Sequence, residues 1–118
     1  MRAKDAVGRY GESVAAAYLT EAGWQVVDRN WRGAAGEVDI VALHGEDLVI
    51  VEVKTRSGDG YGHPAEAVTP VKLARLRRLA AQWLDAHDLH PRGVRIDVIA
   101  VRTSRRGAAT VEHLTGVL

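Results

Sequence analysis

Four segments of the chain are rich in the β-branched and other apolar residues that favour strands. They span residues 24–31, 37–43, 48–55 and 95–101. The turn residues Arg105, Arg106 and Gly107 follow the fourth segment, and a shorter fifth strand is predicted near residues 110–114. The pattern therefore predicts a protein with four or five strands.

Two segments instead have helical character. Residues 5–22 are rich in Ala and are followed by Gly23, which suits the position just past a helix end. A second helix is predicted to begin after Thr69, which can act as its N-cap, with Pro70 in its first turn. Apolar residues at helical spacing give this second helix a buried stripe of Leu73, Leu76, Ala80, Trp83 and Leu84.

The order of these elements predicts the fold. Three strands in succession, joined by short turns, indicate an antiparallel meander, whereas a crossover through the second helix makes the fourth strand parallel to a neighbour. A glycine-rich loop is predicted over residues 57–68, before the second helix. We therefore expect an α/β fold with a mixed β-sheet flanked by helices, formed as one domain by residues 1–118.

Composition excludes several classes of protein. Apolar residues make up 47% of the chain, which argues against disorder, and no apolar run approaches the roughly 20 residues of a membrane span. The absence of Cys excludes disulfides and thiolate sites, so we expect a cytoplasmic protein. The lack of a long apolar run leads us to expect that it does not enter the membrane. Sixteen basic residues balance fifteen acidic ones. The case for a nucleic-acid partner must therefore rest on where the charges lie.

Three charged residues interrupt the second and third strands. If Gly45 and Glu46 form a two-residue turn, Leu43 pairs with Leu48, and Asp39 falls directly opposite Glu52. The other side of these strands carries only apolar residues and is predicted to face the core: Val38, Ile40, Ala42, Val49, Val51 and Val53. Lys54 lies two residues after Glu52, hence on the same side as the two carboxylates.

Two interpretations of this cluster are open. Opposed carboxylates repel each other, but together they can share a hard divalent cation, because Mg²⁺ prefers one or two carboxylates with water and phosphate oxygens. An ammonium beside that cation can stabilise a phosphate or help to position an attacking water. The cluster then suits hydrolysis of a phosphodiester. The other interpretation is a salt-bridge cluster at the end of a sheet.

Asp39 and the Glu52-Val53-Lys54 triplet resemble the signature of the PD-(D/E)XK nuclease superfamily, with Val38 in place of its proline. The resemblance extends over nearly the whole chain. Five segments in order resemble the YraN family of small bacterial endonuclease-like proteins, which is similar to archaeal Holliday-junction resolvases: "GRYGESVAAAYL", "NWRGAAGEVDIVA", "VEVKTRS", "AVTPVKLARL" and "RIDVIAV".

This resemblance implies a restriction-endonuclease-like core and cleavage of DNA, including branched DNA, that depends on Mg²⁺ or Mn²⁺. Asp39 and Glu52 would bind the metal, and Lys54 would act on the water or the developing charge. A glutamate in the first helix of resolvase-like relatives joins the metal site, and Glu12 matches it; an exposed helix glutamate is the alternative. Such relatives pair two sites to cut two strands, so a homodimer is a further expectation.

Basic residues outside the triplet are candidates for contact with the DNA backbone. Arg56 extends the third strand, and its alternative is a solvated strand end. Lys72, Arg75 and Arg78 follow one another at three-residue steps on the second helix, away from its apolar stripe. Charged residues on the outer face of a helix are usually only solvated. Two rival functions stay open beside the nuclease: a non-catalytic nucleic-acid-binding module, and an adaptor whose charged cluster is an interface.

Overall fold

The computed structural model describes residues 6–57, 63, 66 and 68–117. The predicted order of elements is confirmed, and most of the predicted loop over residues 57–68 lies outside the described residues. The elements are α1 (Ala6–Glu21), β1 (Gln25–Gly33), β2 (Gly36–His44), β3 (Asp47–Ser57), α2 (Pro70–Ala86), β4 (Gly93–Thr103) and β5 (Thr110–Leu114).

The five strands form one mixed sheet in the order β1-β2-β3-β4-β5. The first three are antiparallel neighbours, β3 and β4 are parallel, and β5 returns antiparallel to β4. The parallel pair follows from the crossover through α2, which brings the chain back to the starting end of β3. The mixed sheet and its two flanking helices confirm the expected α/β architecture, which is compatible with a nuclease-like core.

The turn between β2 and β3 sets the register of the site. Gly45 has a φ of 61°, a left-handed conformation that suits the first central position of a type II′ turn. His44 then pairs with Asp47, and Leu43 pairs with Leu48, as predicted. A register displaced by one residue would have turned every later side chain to the opposite face of the sheet.

Both faces of the sheet are covered. On one face α1 packs Ala15 and Leu19 against a cluster that includes Ile40, Val49 and Val51. On the other face α2 contributes Leu76, Leu79, Ala80 and Trp83, which are buried with Val41, Leu48 and Ile50. The predicted helix stripe is confirmed, with Leu79 as an additional member. The two apolar layers hold β3 between them at the centre of the molecule.

Val38 departs from the predicted alternation. We expected it on the same face of the sheet as Ile40, but it belongs to the cluster that α2 covers, whereas Ile40 lies in the cluster beneath α1. The regular pairing of β2 with β3 ends at Ile40 and Val51, so β2 is no longer held to the pleat of β3 before that point. This end of β2 is the part of the sheet that carries Asp39.

The helices are positioned by local features of the sequence. Thr69 caps α2, since its Oγ1 accepts a hydrogen bond of 3.1 Å from the backbone N–H of Lys72. Helix α1 approaches the sheet closely at Gly11, where a β-carbon would lie 1.8 Å from Oγ1 of Thr55. In the described part of the chain, neither helix has the length and apolar character that crossing a membrane requires.

Candidate active site

Asp39 lies where the ladder between β2 and β3 opens. The last regular pair is Ile40 with Val51, and the same register continued by one position sets Asp39 opposite Glu52. Oδ2 of Asp39 accepts a hydrogen bond of 2.9 Å from the backbone N–H of Val53. A carboxylate therefore takes the place of a backbone acceptor at this point, and this bond fixes Asp39 against the strand that carries Glu52.

The side chain of Glu52 is largely buried and lies beside the negative charge of Asp39. The Glu52 side chain is only 12% exposed. Burial, and after it the negative charge of Asp39, raises the pKa of Glu52, although Lys72 and Lys54 act in the opposite direction. The register continued past Ile40 and Val51 brings the two carboxylates near each other, so their repulsion contributes to the higher pKa of Glu52. Negative charge is thus concentrated where water screens it weakly.

Lys54 completes the cluster on β3. It follows Glu52 by two residues and therefore extends to the same face of the sheet. Burial lowers the pKa of Lys54, and the positive charges of Arg56 and Lys72 lower it further, against the opposing effect of the two carboxylates. Its ammonium group accordingly gives up a proton more readily than that of an exposed lysine.

Lys72 does not lie on the solvated side of α2 that its sequence position indicated. We expected it on the outer face of α2, but its ammonium forms an ion pair with the carboxylate of Glu52, and its side chain is only 23% exposed. It precedes the buried residues Leu76 and Leu79 by four and seven positions, so it continues their face of the helix by one turn. That spacing is the signal that would have placed Lys72 on the buried side of α2, although it does not identify Glu52 as its partner.

The other basic candidates lie in different environments. Arg75 is partly buried and passes over the turn between β1 and β2, where a β-carbon on Gly36 would lie 3.6 Å from its Cδ. Among the described residues its buried Nε has no hydrogen-bond partner. Arg78 is exposed on α2, as expected. Arg56 is partly buried at the end of β3, and its Nη1 donates a 3.0 Å hydrogen bond to the carbonyl of Thr55.

Glu12 is buried, with only 4% of its surface exposed. It precedes Ala15 and Leu19 by three and seven residues on α1, and those two residues pack on the sheet face opposite to α2. Within residues 6–57, 63, 66 and 68–117, no three His, Asp or Glu side chains are grouped closely enough to hold a metal ion. The structure therefore brings Asp39 and Glu52 together without placing Glu12 in a three-carboxylate group with them.

The donor set of this site is suited to a hard divalent cation. Asp39 and Glu52 offer carboxylate oxygens from adjacent strands, and Mg²⁺ is typically bound by one or two carboxylates with water in its remaining positions. A cation between them would also relieve the repulsion that contributes to the raised pKa of Glu52. The residues present thus fit Mg²⁺ or Mn²⁺ without a third protein carboxylate.

Asp97 anchors a second charged network, on the α1 side of the sheet. It is fully buried and accepts hydrogen bonds from Arg95 at 2.9 Å, from the backbone N–H of Gly116 at 2.9 Å and from His113 Nε2 at 2.7 Å. Nδ1 of His113 is in turn 3.1 Å from the hydroxyl of Tyr18 on α1. These bonds give Asp97 a structural role. This network ties β5 and the following residues to the sheet.

Comparison with known proteins places the chain among close relatives. The sequence model of a family described as "Uncharacterised protein family UPF0102" matches residues 11–101. A UPF0102 protein of Beutenbergia cavernae is 65% identical over 117 residues, which cover 99% of each chain. UPF0102 proteins of Kineococcus radiotolerans and Arthrobacter sp. (strain FB24) are 58% and 56% identical, over 99% of this chain and 97% and 99% of theirs.

Proposed function

The chain belongs to the UPF0102 family, also known as the YraN family, and on that basis we propose that it is a metal-dependent endonuclease that hydrolyses phosphodiester bonds of DNA. One observation carries this proposal. The register of β2 and β3, continued one position past its last regular pair, sets Asp39 opposite Glu52, and the partly buried Lys54 follows on the same face. A purely structural ion-pair cluster has no need for two carboxylates that repel each other.

In this proposal Asp39 and Glu52 hold one Mg²⁺ or Mn²⁺, and Glu12 is the candidate for a third carboxylate. When bound, such a cation supplies Lewis-acid stabilisation of the phosphate and lowers the pKa of water. Asp39 remains oriented by the backbone N–H of Val53, so its position on the strand does not depend on the cation. Glu52 contributes an oxygen from a site where solvent competes weakly.

Lys54 is the residue that we propose to contact the attacking water and the phosphate. Its position two residues beyond Glu52 directs its ammonium toward a phosphate held at the carboxylates, where it orients the attacking water and stabilises negative charge as it develops. Because burial lowers its pKa, this lysine also passes a proton more readily than an exposed one. Removal of either carboxylate or of Lys54 is therefore expected to abolish cleavage.

DNA is the proposed partner, and Arg56, Lys72, Arg75 and Arg78 are the proposed contacts with its backbone. Arg78 is exposed, whereas Lys72 pairs with Glu52 and would be available to a phosphate if a bound metal replaced it there. A single site cuts one strand in each binding event. We therefore also propose a homodimer for targets in which two strands are cut, which light scattering with and without DNA would test.

Incubation of the purified protein with branched and linear DNAs, with EDTA, Mg²⁺ or Mn²⁺, tests the activity. We expect cleavage only with metal, and none in Asp39→Asn or Glu52→Gln. Glu12→Gln is expected to lose less activity than either, because Glu12 is not grouped with the other two carboxylates. Asp85→Asn, the same chemical change on the exposed surface of α2, is the matched control. Cleavage by folded Asp39→Asn at the parent rate would contradict the assignment.

A non-catalytic nucleic-acid-binding module is the second candidate. The ion pair between Lys72 and Glu52 favours it, because a carboxylate that already has a cationic partner does not need a metal. The same cleavage panel separates the two functions. A binding module retains DNA affinity in EDTA and cuts no DNA in Mn²⁺, whereas the nuclease gains activity with the metal.

A further inference from the structure

Arg56, the basic residue at the end of β3, has a basic neighbour, Arg102, on β4. In the parallel ladder between these strands, Arg56 pairs with Arg102, and the antiparallel ladder between β4 and β5 pairs Arg102 with Thr110. Residues paired across neighbouring strands direct their side chains to the same face of a sheet. Arg102 therefore lies on the face that carries Glu52 and Arg56.

An open hollow of about 610 Å³ lies beside Arg102, at the end of β3 and β4. Two guanidinium groups and four hydroxyl groups surround it, and no carboxylate of the described residues is among its lining side chains: Ser57, Arg102, Thr103, Ser104, Arg105, Ala108 and Thr110. The hollow therefore combines two cationic groups with neutral hydroxyl groups.

The turn that bears Arg105 is internally bonded. The hydroxyl of Ser104 donates to the carbonyl of Arg106 and accepts from its backbone N–H, both at 3.1 Å. At the neighbouring strand end, the hydroxyl of Thr103 donates to the carbonyl of Arg56 at 3.5 Å. These bonds give the rim of the hollow a defined shape, so that little order has to be gained when a ligand binds.

We propose that this hollow binds a backbone phosphate of the nucleic acid whose cleavage is proposed above, so the inference rests on that function. Guanidinium groups offer forked donors that match phosphate oxygens. Hydroxyl groups are regular donors to the DNA backbone, and those of Ser57 and Thr110 can add to the two arginines, because the hydroxyls of Thr103 and Ser104 already donate to backbone carbonyls. The open shape suits a polymer that passes across the surface better than a small anion that must be enclosed.

The position of the hollow defines which phosphate it contacts. Arg102 lies four residues further along the ladder than the pair that contains Glu52, and one strand to the side. At about 3.3 Å for each residue and about 4.8 Å between strands, the two α-carbons are about 14 Å apart. That distance is roughly four base pairs of duplex, at about 3.4 Å for each. The hollow thus contacts the backbone a few nucleotides from the bond that is cut.

The test is the salt dependence of binding to a labelled 20-base-pair duplex, in EDTA so that no cleavage takes place. For the Arg102→Gln, Arg105→Gln double variant we expect at least tenfold weaker affinity at 100 mM salt. The slope of log affinity against log salt should become shallower by about 1.8, because two phosphate contacts are lost. The corresponding lysine double variant keeps the charge and should retain most of the slope.

Arg92→Gln is the matched control. Arg92 is exposed beside the turn between β2 and β3, at the opposite end of the sheet, where its Nη1 pairs with Glu46 at 3.0 Å. The single variant Arg105→Gln, in an exposed turn, provides the test if the double variant does not fold; its slope should change by about 0.9. Inorganic phosphate at millimolar concentration should not compete, because one anion lacks the other backbone contacts.

An unchanged slope and affinity in the double variant, or a parent protein that does not bind the duplex at low salt, would overturn the inference. Displacement of the duplex by millimolar inorganic phosphate would instead assign the hollow to a small anion and also overturn it. These failures are distinct from failure of the nuclease proposal. A protein that binds DNA through the hollow but neither binds Mn²⁺ nor cuts DNA would refute the proposed activity and leave this inference intact.

Discussion

The ammonium group of Lys72, on α2, forms an ion pair with the carboxylate of Glu52, on β3. This contact lies beside Asp39, whose negative charge contributes to raising the pKa of Glu52. Lys72 therefore occupies one of the positions from which a cation can balance the two carboxylates. A metal ion bound there would compete with the lysine for Glu52, so the ion pair connects metal binding to helix α2.

Lys72→Met is expected to destabilise the metal-free protein and to strengthen its binding of Mn²⁺. Loss of the ammonium leaves the buried Glu52 without its partner, at a cost of about 1–3 kcal/mol. It also removes the ammonium that competes with the metal for Glu52. The affinity for Mn²⁺ should therefore rise about tenfold, which corresponds to about 1.4 kcal/mol of binding free energy. Calorimetric titration with Mn²⁺ and urea unfolding measure the two effects. Lys72→Arg, which keeps the charge, should resemble the parent, and equal Mn²⁺ affinity in parent and Lys72→Met would place the metal elsewhere.

Gly11→Ala should destabilise the protein, although Ala normally favours a helix over Gly by about 1 kcal/mol. The added β-carbon would lie 1.8 Å from Oγ1 of Thr55 and 2.8 Å from its Cβ, so α1 or β3 must move. Overpacking of this kind costs about 1–3 kcal/mol. Urea unfolding measures the loss, and a double variant with Thr55→Ala should recover part of it. A stability gain in Gly11→Ala would mean that the helix does not approach the strand this closely.

Asp97→Asn should reduce stability by about 3 kcal/mol at neutral pH, because it removes the charge that Arg95 and His113 share in a buried network. Burial alone would raise the pKa of Asp97, but hydrogen bonds from His113, Arg95 and Gly116 outweigh it and hold the pKa below its usual value of 3.8. Its stabilising contribution is therefore complete above that pH and is lost as pH falls through the lower folded pKa.

Urea unfolding at several pH values checks this prediction. The stability difference between the parent and Asp97→Asn should be largest near neutral pH and should shrink below pH 3.8. Asp88→Asn, a change in a fully exposed pair with His90, is the control and should have little effect at any pH. A difference that grows toward acid pH would have the wrong sign for a carboxylate whose pKa is lowered.

The sequence was sufficient to predict the register of the site, because few short turns can join β2 to β3. Gly45 at the first central position of a two-residue turn fixes the five regular pairs, and the same register continued by one position sets Asp39 opposite Glu52. Alternation failed at Val38, where β2 is no longer paired regularly with β3. Side-chain alternation therefore predicts the face of a residue only where the backbone pairing of β2 with β3 is regular.

The contacts of Lys72 and Arg102 could not be predicted in the same way. Lys72 meets Glu52 only because α2 crosses the sheet at a particular angle, which depends on packing between distant residues such as Leu76 and Ile50. Arg102 lies beside Arg56 because of the parallel register of β3 and β4, and no short turn sets that register. Both relationships depend on tertiary packing, which leaves only weak signals in the local pattern.

Thermal unfolding in EDTA, Mg²⁺ and Mn²⁺ measures whether Asp39 and Glu52 together bind a divalent cation. At a metal concentration 100-fold above the dissociation constant, binding to the folded state adds about 2.7 kcal/mol. In a domain of this size that raises the melting temperature by roughly 10 °C. Asp39→Asn should be at least as stable as the parent in EDTA, because it removes one of two repelling charges while an amide oxygen still accepts from Val53.

Asp39→Asn should also lose most of the metal-induced shift, whereas Asp85→Asn, on the exposed surface of α2, should keep all of it. A salt-bridge cluster without a metal makes the opposite prediction, namely little response to Mn²⁺ and a small loss of stability on Asp39→Asn. Joint binding of the cation by Asp39 and Glu52 therefore predicts a clear Mn²⁺ shift in the melting temperature of the parent that is nearly absent in Asp39→Asn. No shift in the parent in saturating Mn²⁺, or a full shift in Asp39→Asn, would contradict it.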